Sequence, residues 1–139
     1  MSLVLDASLT LSWYFDDERS AGADAVLDQV ADHGAFVPSS WRLEVANGLQ
    51  EAVRRKRVDA AFRDNALGQL NRLPIEVDQE TDAHAWSVTL RLAERFQLSL
   101  YDAAYLELAQ RRHVPLATLD HALRTAAGAL AIGVLGVSV

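Results

Sequence analysis

The chain alternates short, uniformly apolar runs with longer stretches in which apolar residues recur every three or four positions. Leu3-Val4-Leu5, after Ser2, forms the first run and ends at Asp6; Ala35-Phe36-Val37 and residues 114–118 and 132–137 form others, and Ile75-Glu76-Val77 alternates like a strand. Runs of this length, bounded by turn residues, predict buried strands. Between them, residues 20–30 place Ala21, Ala25, Val26, Leu27 and Val30 on one side of an amphipathic helix that His33-Gly34 stops. Pro38-Ser39-Ser40 leads into a second helix, capped by Ser39 or Ser40 and running to about Arg55. Val58-Asp59 opens a helix over residues 60–73, which Pro74 closes. One long helical register covers residues 81–96, another residues 100–112, and a short last helix residues 123–130. Pro115 confines its strand to a place where that N–H is not needed.

Strands alternating with helices in this way predict a three-layer α/β/α domain around a mostly parallel sheet. Its 139 residues form one domain, with no internal repeat or linker. In such sheets the functional crevice lies outside the carboxyl ends of the strands. Asp6 and Asp120 each follow a predicted strand at that end.

Composition narrows the chemistry. Cysteine is absent, which removes disulfides, thiolate-bound zinc and a thiol nucleophile, and fits a reducing, cytoplasmic setting. No apolar run reaches the length of a membrane span, and the N-terminus lacks the features of a signal peptide. All thirteen cationic side chains are arginine except Lys56, so Schiff-base and Walker-type chemistry have almost no candidate. A net charge of −6 argues against binding nucleic acid through a broad basic surface; any such contact has to be local.

Four carboxylates stand in apolar company: Asp6 in Val-Leu-Asp-Ala-Ser, Glu44 in Trp-Arg-Leu-Glu-Val-Ala, Asp102 in Leu-Tyr-Asp-Ala-Ala-Tyr, and Asp120 after Ala-Thr-Leu. Burying a charge is costly unless it is paired or metal-bound, and several acids gathered at one sheet edge repel one another. A divalent cation relieves both costs. Oxygen ligands without histidine or cysteine suit Mg²⁺ or Mn²⁺, which activate water and stabilise charge on a phosphodiester. The four histidines share no metal-binding spacing.

Leu-Asp6-Ala-Ser8, Glu44-Val-Ala-Asn47, Tyr-Asp102-Ala-Ala-Tyr-Leu-Glu-Leu-Ala and Ala-Thr118-Leu-Asp120 occur in order along nearly the whole chain. Together they resemble the PIN-domain ribonucleases, specifically the VapC-type toxins of toxin–antitoxin pairs. The resemblance implies one PIN-like domain in which Asp6, Glu44, Asp102 and Asp120 form a catalytic, metal-binding site. Ser8 and Thr118 would orient carboxylates or water, and Asn47, one turn after Glu44, would face the same cleft. It further implies a homodimer, a cognate VapB-type antitoxin, and cleavage of structured RNA such as tRNA or rRNA.

Plainer roles fit several of these residues taken singly. Asp6, Asp102 and Asp120 each suit a helix N-cap, although capping does not account for Glu44 inside a helix. Glu107, five residues after Asp102, is expected on a solvated face. Arg54, Arg55 and Arg57, with Lys56 and Arg63, form either a solvated helix end or a path for RNA beside the cleft, and Arg111-Arg112 are candidates for the same path. Trp13, Tyr14, Phe15 and Trp41 suit a core or dimer interface better than base stacking, as does Leu11. A phosphorelay receiver would need paired acids after the first strand and a lysine after the last; a haloacid-dehalogenase-like phosphatase would need Asp-x-Asp where Asp6-Ala7-Ser8 stands. A flap-type DNase would need large helical insertions. The remaining alternative to a ribonuclease is a PIN-like module that has lost catalysis and serves as a binding or scaffold unit; the presence of all four acids favours the enzyme.

Overall fold

Each apolar run supplies a strand to one sheet in the computed structural model, which describes residues 2–137. The strands β1 (Val4–Leu5), β2 (Ala35–Val37), β3 (Ile75–Val77), β4 (Leu116–Ala117) and β5 (Val134–Leu135) lie in the order β3-β2-β1-β4-β5, all parallel. Val4 of the central strand is in register with Phe36 on one side and Leu116 on the other. The ladder continues past the strand ends: Asp6 N–H donates to the Ala117 carbonyl (3.1 Å), and Asp78 N–H to that of Val37 (2.8 Å).

The helices among the described residues are α1 (Ala7–Ser12), α2 (Ala21–His33), α3 (Trp41–Arg54), α4 (Ala60–Asn71), α5 (Thr81–His84), α6 (Val88–Phe96), α7 (Leu100–Arg112) and α8 (His121–Ala129). They complete the expected three-layer α/β/α arrangement. None is long and apolar enough to cross a membrane. Leu3, Val4 and Leu5 are fully buried, and α7, which packs on β1, β2 and β4 and against α6 and α8, is buried throughout residues 103–109. The alanines of α7 let its backbone sit close to the sheet.

Parallel pairing fixes where a crevice opens. The chain leaves β1 towards β2, whereas β4, the other neighbour of β1, comes from late in the sequence, so the strand order reverses between them. Asp6 follows β1 and Thr118 follows β4 at that point. Trp41, at the start of α3, donates through Nε1 to Thr10 Oγ1 (3.2 Å), which donates in turn to the Asp6 carbonyl (2.8 Å). α1 and α3 also meet at Gly48, where a Cβ would fall 2.4 Å from Leu11 Cδ1.

Three expectations need correction. The apolar register over residues 81–96 does not make one helix, because its two halves are anchored to different neighbours. Thr81 Oγ1 accepts from Ser39 N–H (3.1 Å), while α6 packs on α7, and the chain turns at Ser87 (φ −120°, ψ −98°), leaving Trp86 91% exposed. Glu107 is not solvated but 4% exposed, since α7 has no polar face at that level. Arg111 donates to it through Nε (2.8 Å) and Nη2 (3.0 Å), and also to Asp78 Oδ1 (3.0 Å) and Oδ2 (2.7 Å). Arg111 is therefore committed inside the fold and does not line a path for RNA. Arg112 lies over the Phe36 ring, 4.4 Å from its centroid, and 3.6 Å from Asp78.

Burial raises the Asp78 carboxyl, but hydrogen bonds from Arg111 and Thr81 and the guanidinium charge outweigh it and hold the pKa at about 2. An acid with a depressed folded pKa stabilises the fold above its unfolded value near 4 and loses that contribution as pH falls towards 2. Arg111→Met, which strands two buried carboxylates, is predicted to lower the urea unfolding free energy by about 3–5 kcal/mol at pH 7. The stability gap between wild type and Asp78→Asn, measured by urea unfolding from pH 5 to pH 2, is predicted to shrink as pH falls.

Candidate active site

The acid that ends β1 is the most buried of the four. Asp6 is 3% exposed and caps α1, accepting from Leu9 N–H (2.8 Å). Ser8 Oγ donates to both its oxygens (3.0 and 3.1 Å), and Thr118 Oγ1 donates to Oδ2 from across the sheet. Thr118, itself fully buried, accepts from the Asp120 N–H (3.0 Å), so the two strand ends are tied by one hydroxyl. Asp120 caps α8, accepting from Leu123 N–H (2.9 Å). Asp6 and Asp120 thus take the N-cap role that the sequence allowed them.

Asp102 does not cap its helix. Ser99 does so, accepting from the Asp102 N–H (3.1 Å), which leaves the Asp102 carboxylate in the first turn of α7. Burial pushes this carboxyl upward and the charge of Asp120 adds to the rise. For Asp6, burial is again the largest cause; bonds from Thr118, Leu9 and Ser8 oppose it, the Asp102 charge reinforces it, and the balance stands at about 6. Asp6 therefore feels the charge of Asp102, and Asp102 that of Asp120.

Glu44 reaches this group through a tyrosine. It stands in the first turn of α3, half-buried, and accepts from Ser40 Oγ at Oε1 (3.0 Å) and from Tyr105 OH at Oε2 (2.8 Å). Tyr105 is buried, and burial, Glu44 and the nearby Asp6 charge raise its hydroxyl pKa, keeping it a donor. The sequence reasoning missed this residue. Its signal was a hydroxyl-bearing side chain three positions after Asp102, hence on the same helical face, in a stretch dominated by alanine and leucine.

The remaining candidates fall elsewhere. Asn47 is exposed and makes no hydrogen bond to the four acids. Arg54 lies ten residues after Glu44 on α3, roughly 15 Å along the axis, so the basic run sits at the other end of that helix. There Arg54 pairs with Glu51 (2.8 Å), and Arg57 pairs with Asp17 (2.9 Å) above the Phe15 ring. Arg63 donates to Gln50 and Asp64. Trp13 and Trp41 are core residues whose indole N–H groups are satisfied by the Ala23 carbonyl and Thr10.

Chemically, the site is a set of hard oxygen donors, of which Asp6 and Asp102 have their proton affinity raised by burial and a neighbouring carboxylate charge, and such a donor set suits a divalent cation. Among the described residues no three acidic or histidine side chains are gathered closely enough to hold an ion as they stand. Asp6, Glu44 and Asp120 instead satisfy their oxygens on local N–H and O–H groups.

The chain is similar to known proteins over most of its length. Residues 3–129 match the PIN domain family. Ribonuclease VapC3 of Pyrobaculum aerophilum is 31% identical over 127 residues, spanning 88% of this chain and 92% of its own. Two crystal structures share the fold. PAE2754 from Pyrobaculum aerophilum superposes with a TM-score of 0.67 at 24% identity, over 91% of this chain and 79% of that one. VapBC2 from Rickettsia felis, bound to a DNA fragment from their promoter, superposes with a TM-score of 0.64 at 11% identity, over 96% and 97%. The chain belongs to the PIN domain family, and within it to the VapC type.

Proposed function

We propose that this protein is a metal-dependent endoribonuclease and the toxin of a toxin–antitoxin pair. The observation that carries the reading is the Thr118 hydroxyl that ties Asp6 to the Asp120 backbone at the point where the strand order reverses, with the Asp102 carboxylate raised by burial and by the Asp120 charge. Its likeness to a VapC ribonuclease over most of both chains supports the same substrate class. Asp6, Glu44 and Asp102 would hold Mg²⁺ or Mn²⁺, with Asp120 completing the set or orienting water. When bound, such an ion favours deprotonation of water and offsets charge on the phosphodiester.

The chain's own residues do the positioning. Thr118 and Ser8 fix the Asp6 carboxylate, and Thr118 ties Asp120 to the same hydroxyl. Asp6 and Asp102, whose proton affinities are raised by burial and a neighbouring carboxylate charge, are the carboxylates whose ionised form a bound cation would favour most. Because water and not the ribose 2′-hydroxyl is the nucleophile, the products carry a 5′-phosphate and a 3′-hydroxyl. Arg54, Arg55 and Arg57, at the far end of α3, would meet RNA phosphates only away from the cut. A VapB-type antitoxin, a homodimer, a cytoplasmic setting and tRNA or rRNA as the substrate complete the proposal.

Purified protein incubated with total RNA is predicted to cleave it with Mg²⁺ or Mn²⁺ and not with EDTA, leaving 5′-phosphate ends. A 2′,3′-cyclic phosphate product contradicts the mechanism. Asp6→Asn is predicted to abolish cleavage and to unfold no earlier than wild type. Asn retains the cap and removes a buried charge, a gain on the order of 1–3 kcal/mol at pH 7.5. That gain should vanish as pH falls from about 6 towards 4, where wild-type Asp6 takes up its proton. No cleavage under any metal by a folded, antitoxin-free preparation favours the binding-module reading.

A further inference from the structure

Glu44, like Asp102, neither follows a strand directly nor starts a helix as its cap. Its carboxylate sits at the end of three rotatable bonds in the first turn of α3, and nothing in the backbone of that turn fixes it. Two hydroxyls do, one on each oxygen: Ser40 from its own helix start (3.0 Å) and Tyr105 from α7 (2.8 Å). The Tyr105 ring is 1% exposed, seated in the stretch of α7 that is buried throughout, so its hydroxyl has a fixed place. α7 carries Asp102 one turn earlier on the same face.

We infer that Tyr105 is a positioning residue that sets Glu44 as a cation ligand relative to Asp102, with Ser40 as its second support. This rests on the metal-dependent reading of the acidic site and deepens it. A hydroxyl that donates one hydrogen bond to a carboxylate oxygen leaves that oxygen a further lone pair, so a Tyr105 bond to Oε2 is compatible with Glu44 binding an ion. It restricts the carboxylate to one orientation before the ion arrives. Loss of such a partner ordinarily costs about 10–100-fold in metal affinity. The hydroxyl also joins α7 to α3, so a single side chain couples two of the acids brought from different helices.

The test is Mn²⁺ binding to the purified full chain, read from the free-ion electron paramagnetic resonance signal, in wild type, Tyr105→Phe, Ser40→Ala, Glu44→Gln and Asp6→Asn. Tyr105→Phe is expected to weaken Mn²⁺ binding at least tenfold in the wild-type background and to change it less than twofold on top of Glu44→Gln. A general loosening of the fold would weaken binding in both backgrounds, and that outcome overturns the inference. So does wild-type affinity in Tyr105→Phe while Asp6→Asn loses binding, which leaves the acidic-site reading standing. Wild type that binds no Mn²⁺ overturns that reading and the inference with it. Should Tyr105→Phe fail to fold, half-buried Ser40→Ala carries the same comparison, with a weaker loss expected in wild type and none in the Glu44→Gln background.

Discussion

A carboxylate buried to 3% exposure at the end of the central strand has to be satisfied, and the Thr118 hydroxyl that meets Asp6 comes from the neighbouring strand end. That bond requires β1 and β4 to pair in register and to stop together. The strand order reverses between these two strands, which is what opens a crevice there. The Asp6 carboxylate also begins α1 through Leu9, and its carbonyl reaches α3 through Thr10 and Trp41. Sheet, α1 and α3 are thus joined around one residue whose charge is unwelcome where it sits. The fold tolerates this because hydrogen bonds to the ionised form offset part of the desolvation, and the residual cost is the raised proton affinity of Asp6.

α7 shows the same economy of buried charge. In its first two turns it carries Asp102 and brings Tyr105 to Glu44; at its last it spends Arg111 on Asp78 and Glu107. A planar guanidinium with five donors can satisfy both acids at once, which one ammonium could not do with this geometry. The two ends differ in consequence. At Asp78 a fixed cation lowers proton affinity, whereas at Asp6 and Asp102 only neutral donors and like charges are present, and proton affinity rises. A permanent cation stabilises a structure; sites that lack one have room for a cation that comes and goes.

The layered fold was legible because buried parallel strands and amphipathic helices have different periods, and Asp6, Glu44, Asp102 and Asp120 stood out as charges in apolar company. Glu107 misled because a helix buried all round has no polar face from which to judge direction. Asp78 was overlooked because it lies beside Gln79 and Glu80 and looks solvated, although its partner is 33 residues away. The Tyr105–Glu44 bond spans 61 residues, and a pairing at that distance leaves no local pattern. The break between α5 and α6 likewise depends on which neighbours each half packs against. Local chemistry showed which residues were unusual, and tertiary contact decided what each was paired with.

The proposed function depends most on Asp6, a carboxylate whose proton affinity burial raises, with a smaller contribution from the Asp102 charge, and whose proton a divalent cation would displace. Carbon-13 NMR of the aspartate carboxyls, assigned with Asp6→Asn, measures this directly as pH is varied without and with Mg²⁺. A midpoint near 6 that falls well below 5 when Mg²⁺ is added is the predicted result. A midpoint near 4 that Mg²⁺ leaves unchanged would contradict it.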